Sequence, residues 1–254
     1  MEKRGLKDLA QQYENILKRI ERFECVADKY SGVFLPVPTD NYLTSKTRVM
    51  LVGRETAGWN TDNKKNTINR FFEKNEVGET KMIVEEAISR YRKDLFGYAT
   101  GPTKTTSRSK FKQFHFTLAD GLSISPEAIV HSNLFAWDYD KKSPLNRPTK
   151  ELEVITSVSK ELLAAQIKAF SPHYIVFATG YDGITQIIKD LFNEYFGGYK
   201  TEKDLTLPKK LWAFYGGGSR CFRIAHPRAL HGHQVYREQV IERIKSYMSV
   251  TDNA

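Results

Sequence analysis

The chain predicts an α/β protein, a three-layer α/β/α sandwich around a central four-stranded, mainly parallel sheet. Three observations predict it. Short continuous runs of β-forming apolar residues, such as Val49-Met50-Leu51-Val52 and Tyr174-Ile175-Val176-Phe177-Ala178, read as strands buried on both faces. The segments between strands carry apolar residues at helical spacing and are long enough for the crossovers that parallel strands require. Strand and helix signals then alternate along the chain, the pattern of an α/β domain. The 254 residues suit one such domain. No repeat or low-complexity linker interrupts them, so a single domain over 1–254 is expected.

The elements follow in order. Leu6, Leu9, Ala10, Tyr13, Ile16, Leu17 and Ile20 form one apolar stripe, which predicts a helix over 5–23 packed on the domain. A loop through Pro36 and Pro38 leads to the first strand, which stops at Gly53. The polar segment 60–66 reads as a loop. Met82, Ile83, Ala87, Ile88 and Tyr91 mark a helix. Phe111, Phe114, Leu118 and Leu122 mark another, at core-like spacing. The second strand is expected over Ala128–Phe135. A long amphipathic helix runs from Leu152 to Phe170 and is stopped by Ser171-Pro172. The third strand closes at Thr179-Gly180, and Asp182 is placed to cap the helix that ends at Gly197-Gly198. Lys209–Phe214 suggests a short additional strand closed by a flexible glycine turn. That glycine run lacks the Lys-Ser/Thr ending of a phosphate-binding loop. Cys221–Ala225 alternates as an edge strand wet on one face would, and ends at His226-Pro227. A closing helix carries Val235, Val240, Ile241, Ile244 and Met248.

The net charge of +9 favours a polyanionic partner such as nucleic acid. The segment 100–113 is richest in that chemistry: Lys104, Arg108, Lys110 and Lys112 lie among hydroxyls suited to phosphate contacts. A solvated surface loop is the plainer reading. Cys25 and Cys221 have no metal-type or redox-type spacing and read as structural thiols in a reducing compartment. No signal peptide and no apolar run near 18 residues is visible, so a cytoplasmic protein without membrane insertion is expected.

Open parallel sheets bind ligands outside the carboxyl ends of their strands. Gly53 with Arg54, Glu55 and Thr56 lies at one such end, Asn133 at the second, Gly180 at the third and His226 at the fourth. Each has a plainer reading. Glu55 suits a solvated turn, Asn133 a strand-end cap, His226 a turn hydrogen bond, and Trp59 the core. His226, His231 and His233 match no common zinc spacing, and no metal or cofactor is expected.

Taken together, Gly53-Arg54-Glu55, Asn133 and His226-Pro227 resemble the strand-end motifs of the uracil-DNA glycosylase superfamily, in order and in position. The resemblance covers about Thr47 to Met248. Thr56-Ala57 stand where that family usually has Pro, and Arg228 stands in place of its Ser-rich, phosphate-gripping continuation. The resemblance implies a uracil-DNA glycosylase-like fold and a monofunctional glycosylase that acts as a monomer on single- or double-stranded DNA. Glu55 and His226 would be catalytic. Gly53, Arg54, Thr56, Trp59, Asn133, Phe135 and Gly180 would bind the substrate, with Trp59, Phe135 and Trp137 as candidates to stack on a base. Arg228, Lys104, Arg108 and Lys110 would hold DNA phosphate. The alternatives are a non-catalytic nucleic-acid or nucleotide-binding relative, and an enzyme of free nucleotides or nucleosides.

Overall fold

Two of the apolar runs become adjacent strands. In the computed structural model, which describes residues 2–59, 67–73, 78–94, 105–229 and 232–251, β1 (Val49–Gly53) pairs in parallel with β3 (Tyr174–Phe177). β3 pairs in parallel with β6 (Ser219–Ile224), with Phe177 opposite Arg223. β6 then turns back on β5 (Leu211–Gly216), and β5 on β4 (Tyr199–Thr201), both antiparallel. With β2 (Ile129–Asn133), the six strands stand in the order β2-β1-β3-β6-β5-β4.

The sheet is therefore α/β and mainly parallel, but six-stranded where four strands were expected. Of the two added strands, β5 realises the additional strand expected over Lys209–Phe214 and is joined to β6 by a hairpin. Gly217 and Gly218 have φ of 58° and 77°, the left-handed pair that a two-residue turn needs to match the strand twist. The glycine run is thus a tight β5–β6 connection. It also moves β6 from the expected sheet edge to the interior, between β3 and β5. Its polar members are accommodated by long stems. The Arg220 guanidinium lies 3.9 Å from the Tyr247 ring centroid while its head pairs with Glu202 at 3.0 Å.

The chain divides into two compact units. The first comprises Met1–Val37, Arg54–Leu95 and Ser132–Ala169, and the second Pro38–Gly53, Phe96–His131 and Phe170–Ala254. In the second unit, α5 (Lys110–Leu122) and α8 (Gln234–Thr251) cover one sheet face. Phe114, Leu118, Val240 and Ile244 pack there with Val49, Leu51, Val176, Phe222 and Ile224. On the opposite face Phe192 of α7 (Ile184–Phe196) meets the Phe177 and Phe214 rings edge-on. A short α2 (Asp40–Thr44), capped by the Thr39 hydroxyl accepting from the Tyr42 N–H, occupies part of the expected loop.

In the first unit α1 (Glu2–Leu17) buries Leu9, Tyr13, Ile16 and Leu17. The helix stops short of residue 23. Ile20 stays buried beyond it, so the apolar spacing outruns the helix, and Arg19 turns away to pair with Glu161. α3 (Asn69–Glu73), α4 (Glu79–Asp94) and most of α6 (Thr149–Phe170) belong to this unit. No helix among the described residues is long and apolar enough to cross a membrane.

Candidate functional site

The chain leaves β1 through Arg54-Glu55-Thr56-Ala57-Gly58-Trp59, a loop of the first unit. Its backbone is fastened at Arg54, whose carbonyl accepts the Phe135 N–H at 2.8 Å. The rest of the loop is built around one carboxylate. Asp138 is 1% exposed, and its Oδ2 accepts the Thr56 hydroxyl at 2.5 Å, the Gly58 N–H at 2.8 Å and the Trp59 N–H at 3.3 Å. Oδ1 accepts the Lys141 N–H at 2.9 Å. Gly58 sits at φ 85°, where a side chain is strained, and an added Cβ would come within 3.1 Å of the Lys141 stem. Four donors converge on this carboxylate, so its charge is satisfied inside the protein.

Glu55 is held differently. Arg54 donates to both of its oxygens, Nε to Oε2 at 2.7 Å and Nη2 to Oε1 at 3.1 Å. The Glu55 side chain is 10% exposed and that of Arg54 34%. The fork thus closes over the carboxylate from the more open side. Asn133, the last residue of β2, is 6% exposed.

The three stacking candidates are core residues. Phe135 and Trp137 are 0% exposed and Trp59 9%. Trp59 meets Phe34 edge-on at 4.9 Å and carries the Arg90 guanidinium 5.3 Å above its ring. None offers an open ring face to a base in this conformation.

In the second unit, the parallel register of β1, β3 and β6 sets Val52, Phe177 and Arg223 side by side. Gly53, Gly180 and His226 therefore follow along the same edge of the sheet. The Gly180 N–H donates to the Ile224 carbonyl at 3.1 Å, which ties the β3 exit to β6. His226 opens a turn closed by the Ala229 N–H on its carbonyl at 2.8 Å. Arg237 of α8 donates to the Pro227 and Ala229 carbonyls at 3.4 and 3.2 Å and fixes that turn from the helix side. The His226 Nδ1 accepts the Arg228 N–H at 3.1 Å. In the neutral ring this assigns the proton to Nε2.

The cationic candidates are spread along the chain. Arg228 and Arg108 are exposed. Lys110 opens α5 and its Nζ donates to Gln113 at 3.0 Å. Lys104, His231 and the segment 60–66 lie outside the described residues. The described end of the basic segment serves the helix, since Ser109 caps α5 by accepting the Lys112 N–H. No group of three or more His, Cys, Asp or Glu able to hold a metal occurs among the described residues.

Two residues with no role assigned from sequence stand out here. Asp138 was visible only as an acid just past a strand, because three of its four donors lie about 80 residues upstream. Arg223 is 4% exposed on the α7 side of β6, and its only sequence signal is a cation inside an apolar alternation. A scan against protein-family models finds no match, and a search of curated proteins finds none either.

Proposed function

We propose that the protein is a DNA glycosylase of the uracil-DNA glycosylase type, hydrolysing the N-glycosidic bond of uracil or another altered base in DNA. One observation carries the reading: the order of polar residues at successive strand ends. Glu55 follows β1, Asn133 ends β2, Gly180 follows β3 and His226 follows β6, on strands that stand in the order β2-β1-β3-β6. In this reading those four strands are the glycosylase-like sheet, and β5 and β4 are an antiparallel extension.

The chemistry suits the residue types. Breaking the bond builds positive charge on the sugar and negative charge on the base. Glu55 stabilises the cationic sugar, orients a water onto it and takes the water's proton. The Asn133 amide supplies a donor and an acceptor to a pyrimidine edge. His226 donates to the base oxygen that gains charge, and the Arg228 N–H on Nδ1 favours the Nε2–H tautomer this needs. Extruding the base costs a few kcal/mol, on the order of one lost stacking and pairing interaction. Phosphate contacts from Arg228, Arg108, Lys110 and Lys104 offset that cost.

The test is base release from single- and double-stranded oligonucleotides carrying uracil and other altered bases, read as alkali-labile sites. At least one substrate is expected to react, with a rate at least about 100-fold lower in Glu55→Gln. Failure of every substrate to exceed that control removes the enzyme reading. A second reading has its own support, because both Glu55 oxygens are already taken by Arg54. It is a non-catalytic nucleic-acid or nucleotide-binding relative, recognised by salt-steep DNA binding without base release.

A further inference from the structure

Arg223 is buried to 4% exposure, and its Nε and Nη1 atoms are sealed from solvent with no hydrogen-bond partner. No carboxylate among the described residues forms an ion pair with it. The Tyr181 ring centroid lies 5.7 Å from the Arg223 guanidinium carbon. Burial pushes the guanidinium below its ordinary pKa, and Tyr181 opposes this only in part. Such a group stays charged in a protein, so its burial without a partner needs an explanation.

The surroundings supply one. Tyr181 begins the turn that opens α7, and its carbonyl accepts the Ile184 and Thr185 N–H groups at 3.3 Å each. The helix cap is Gly183, which provides no side-chain acceptor for the first-turn donors. The positive end of a 13-residue helix and a buried cation thus lie at one turn, whose own acid, Asp182, is exposed and does not cap the helix as the sequence suggested. Beside them, a Cβ built on Gly180 would find nothing within 4 Å, so there is open space at the strand exit.

We propose that Arg223 and the Gly180–Gly183 turn form an oxyanion site that takes a phosphate group. Binding requires the Gly180–Gly183 turn to uncover the sealed nitrogens, after which the planar fork pairs with two oxygens of a phosphate and a third remains for backbone donors of the turn. The site shares Gly180 with the glycosylase reading but is argued from Arg223, and either a nucleic-acid backbone or a free phosphate monoester would fill it.

Calorimetric titration of the full chain with inorganic phosphate, at ionic strength held with chloride, tests it. Saturable binding is expected in the wild type, weakened at least about 10-fold in Arg223→Met. If the Met variant does not fold, Arg223→Gln is expected to show the same loss. Competition then separates the sources. Displacement of phosphate by a 5′-hydroxyl oligonucleotide identifies a backbone phosphate, and displacement by the 5′-phosphorylated oligonucleotide alone identifies a monoester. No saturable phosphate binding in the wild type, or wild-type affinity in the folded uncharged variant, overturns the proposal. Base release by Glu55 bears on neither result.

Discussion

Asp138 in the first unit and Arg223 in the second are buried to nearly the same degree, 1% and 4% exposed. Their surroundings are opposite. Four donors converge on the carboxylate, whereas two of the guanidinium nitrogens are enclosed without any acceptor. A buried charge that is fully hydrogen-bonded holds a local structure together. A buried charge left unpaired is a standing cost, and it points to a ligand that is not part of the chain. The first unit thus uses its buried charge to shape the loop that carries Glu55, and the second presents its own to a visitor.

The sharpest way to break this contrast is to remove the satisfied charge. Asp138→Ala strands the Thr56 hydroxyl and the N–H groups of Gly58, Trp59 and Lys141. A loss of about 3–4 kcal/mol in urea denaturation is expected, because each orphaned buried donor costs ~1–3 kcal/mol and part is recovered by relaxation. A change under about 1 kcal/mol would mean that the loop does not depend on Asp138.

A smaller effect comes from pH. His115 of α5 is buried, and its Nε2 lies 2.9 Å from the Pro126 carbonyl that accepts from it. Burial pulls its pKa down to about 4, with the Lys112 charge lowering it further and the Pro126 bond opposing. The unfolded chain therefore binds the proton at higher pH than the folded one. Stability is full above about pH 6.5 and falls as the pH drops toward 4, by up to about 3 kcal/mol. His115→Gln keeps a donor for Pro126 and is expected to flatten denaturation midpoints between pH 7 and 5. An equally steep fall in that variant would assign the acid sensitivity elsewhere.

The smallest effect is expected at the Arg54–Glu55 pair. Its Arg side chain is 34% exposed, so screening and side-chain entropy hold its worth to about 1 kcal/mol or less. A double-mutant cycle on Arg54→Ala and Glu55→Ala reads that coupling directly. A larger value would place the pair with Asp138 among the groups that shape the loop.

The parts of the fold that were legible in the sequence were those governed by short-range pattern. Val49–Val52 and Tyr174–Phe177 are apolar on both faces and became neighbouring parallel strands. The stripe Phe114, Leu118 and Leu122 became the buried side of α5. Pattern misled where long polar side chains bury their stems. Arg220 and Arg223 made β6 read as half-wet, although it lies between two strands. Of the candidate site, the strand-end positions of Gly53, Asn133, Gly180 and His226 could be placed from sequence, because strand ends are punctuated by glycine and polar residues. What those residues bond to could not be. The Arg54 fork on Glu55 depends on rotamers, and the Asp138 cradle depends on a contact between distant segments.

The most direct test is to compare Asp138→Ala and Arg223→Met by urea denaturation in phosphate-free buffer. The two variants should move in opposite senses. Asp138→Ala should unfold at clearly lower urea. Arg223→Met should match or exceed the wild type, since the apolar side chain removes the desolvation cost of a buried charge that no described carboxylate offsets. The aromatic contact it forfeits, at 5.7 Å, is near the outer limit of a cation–π interaction. Comparable destabilisation in both variants would contradict the account, because it would make Arg223 as much a structural charge as Asp138.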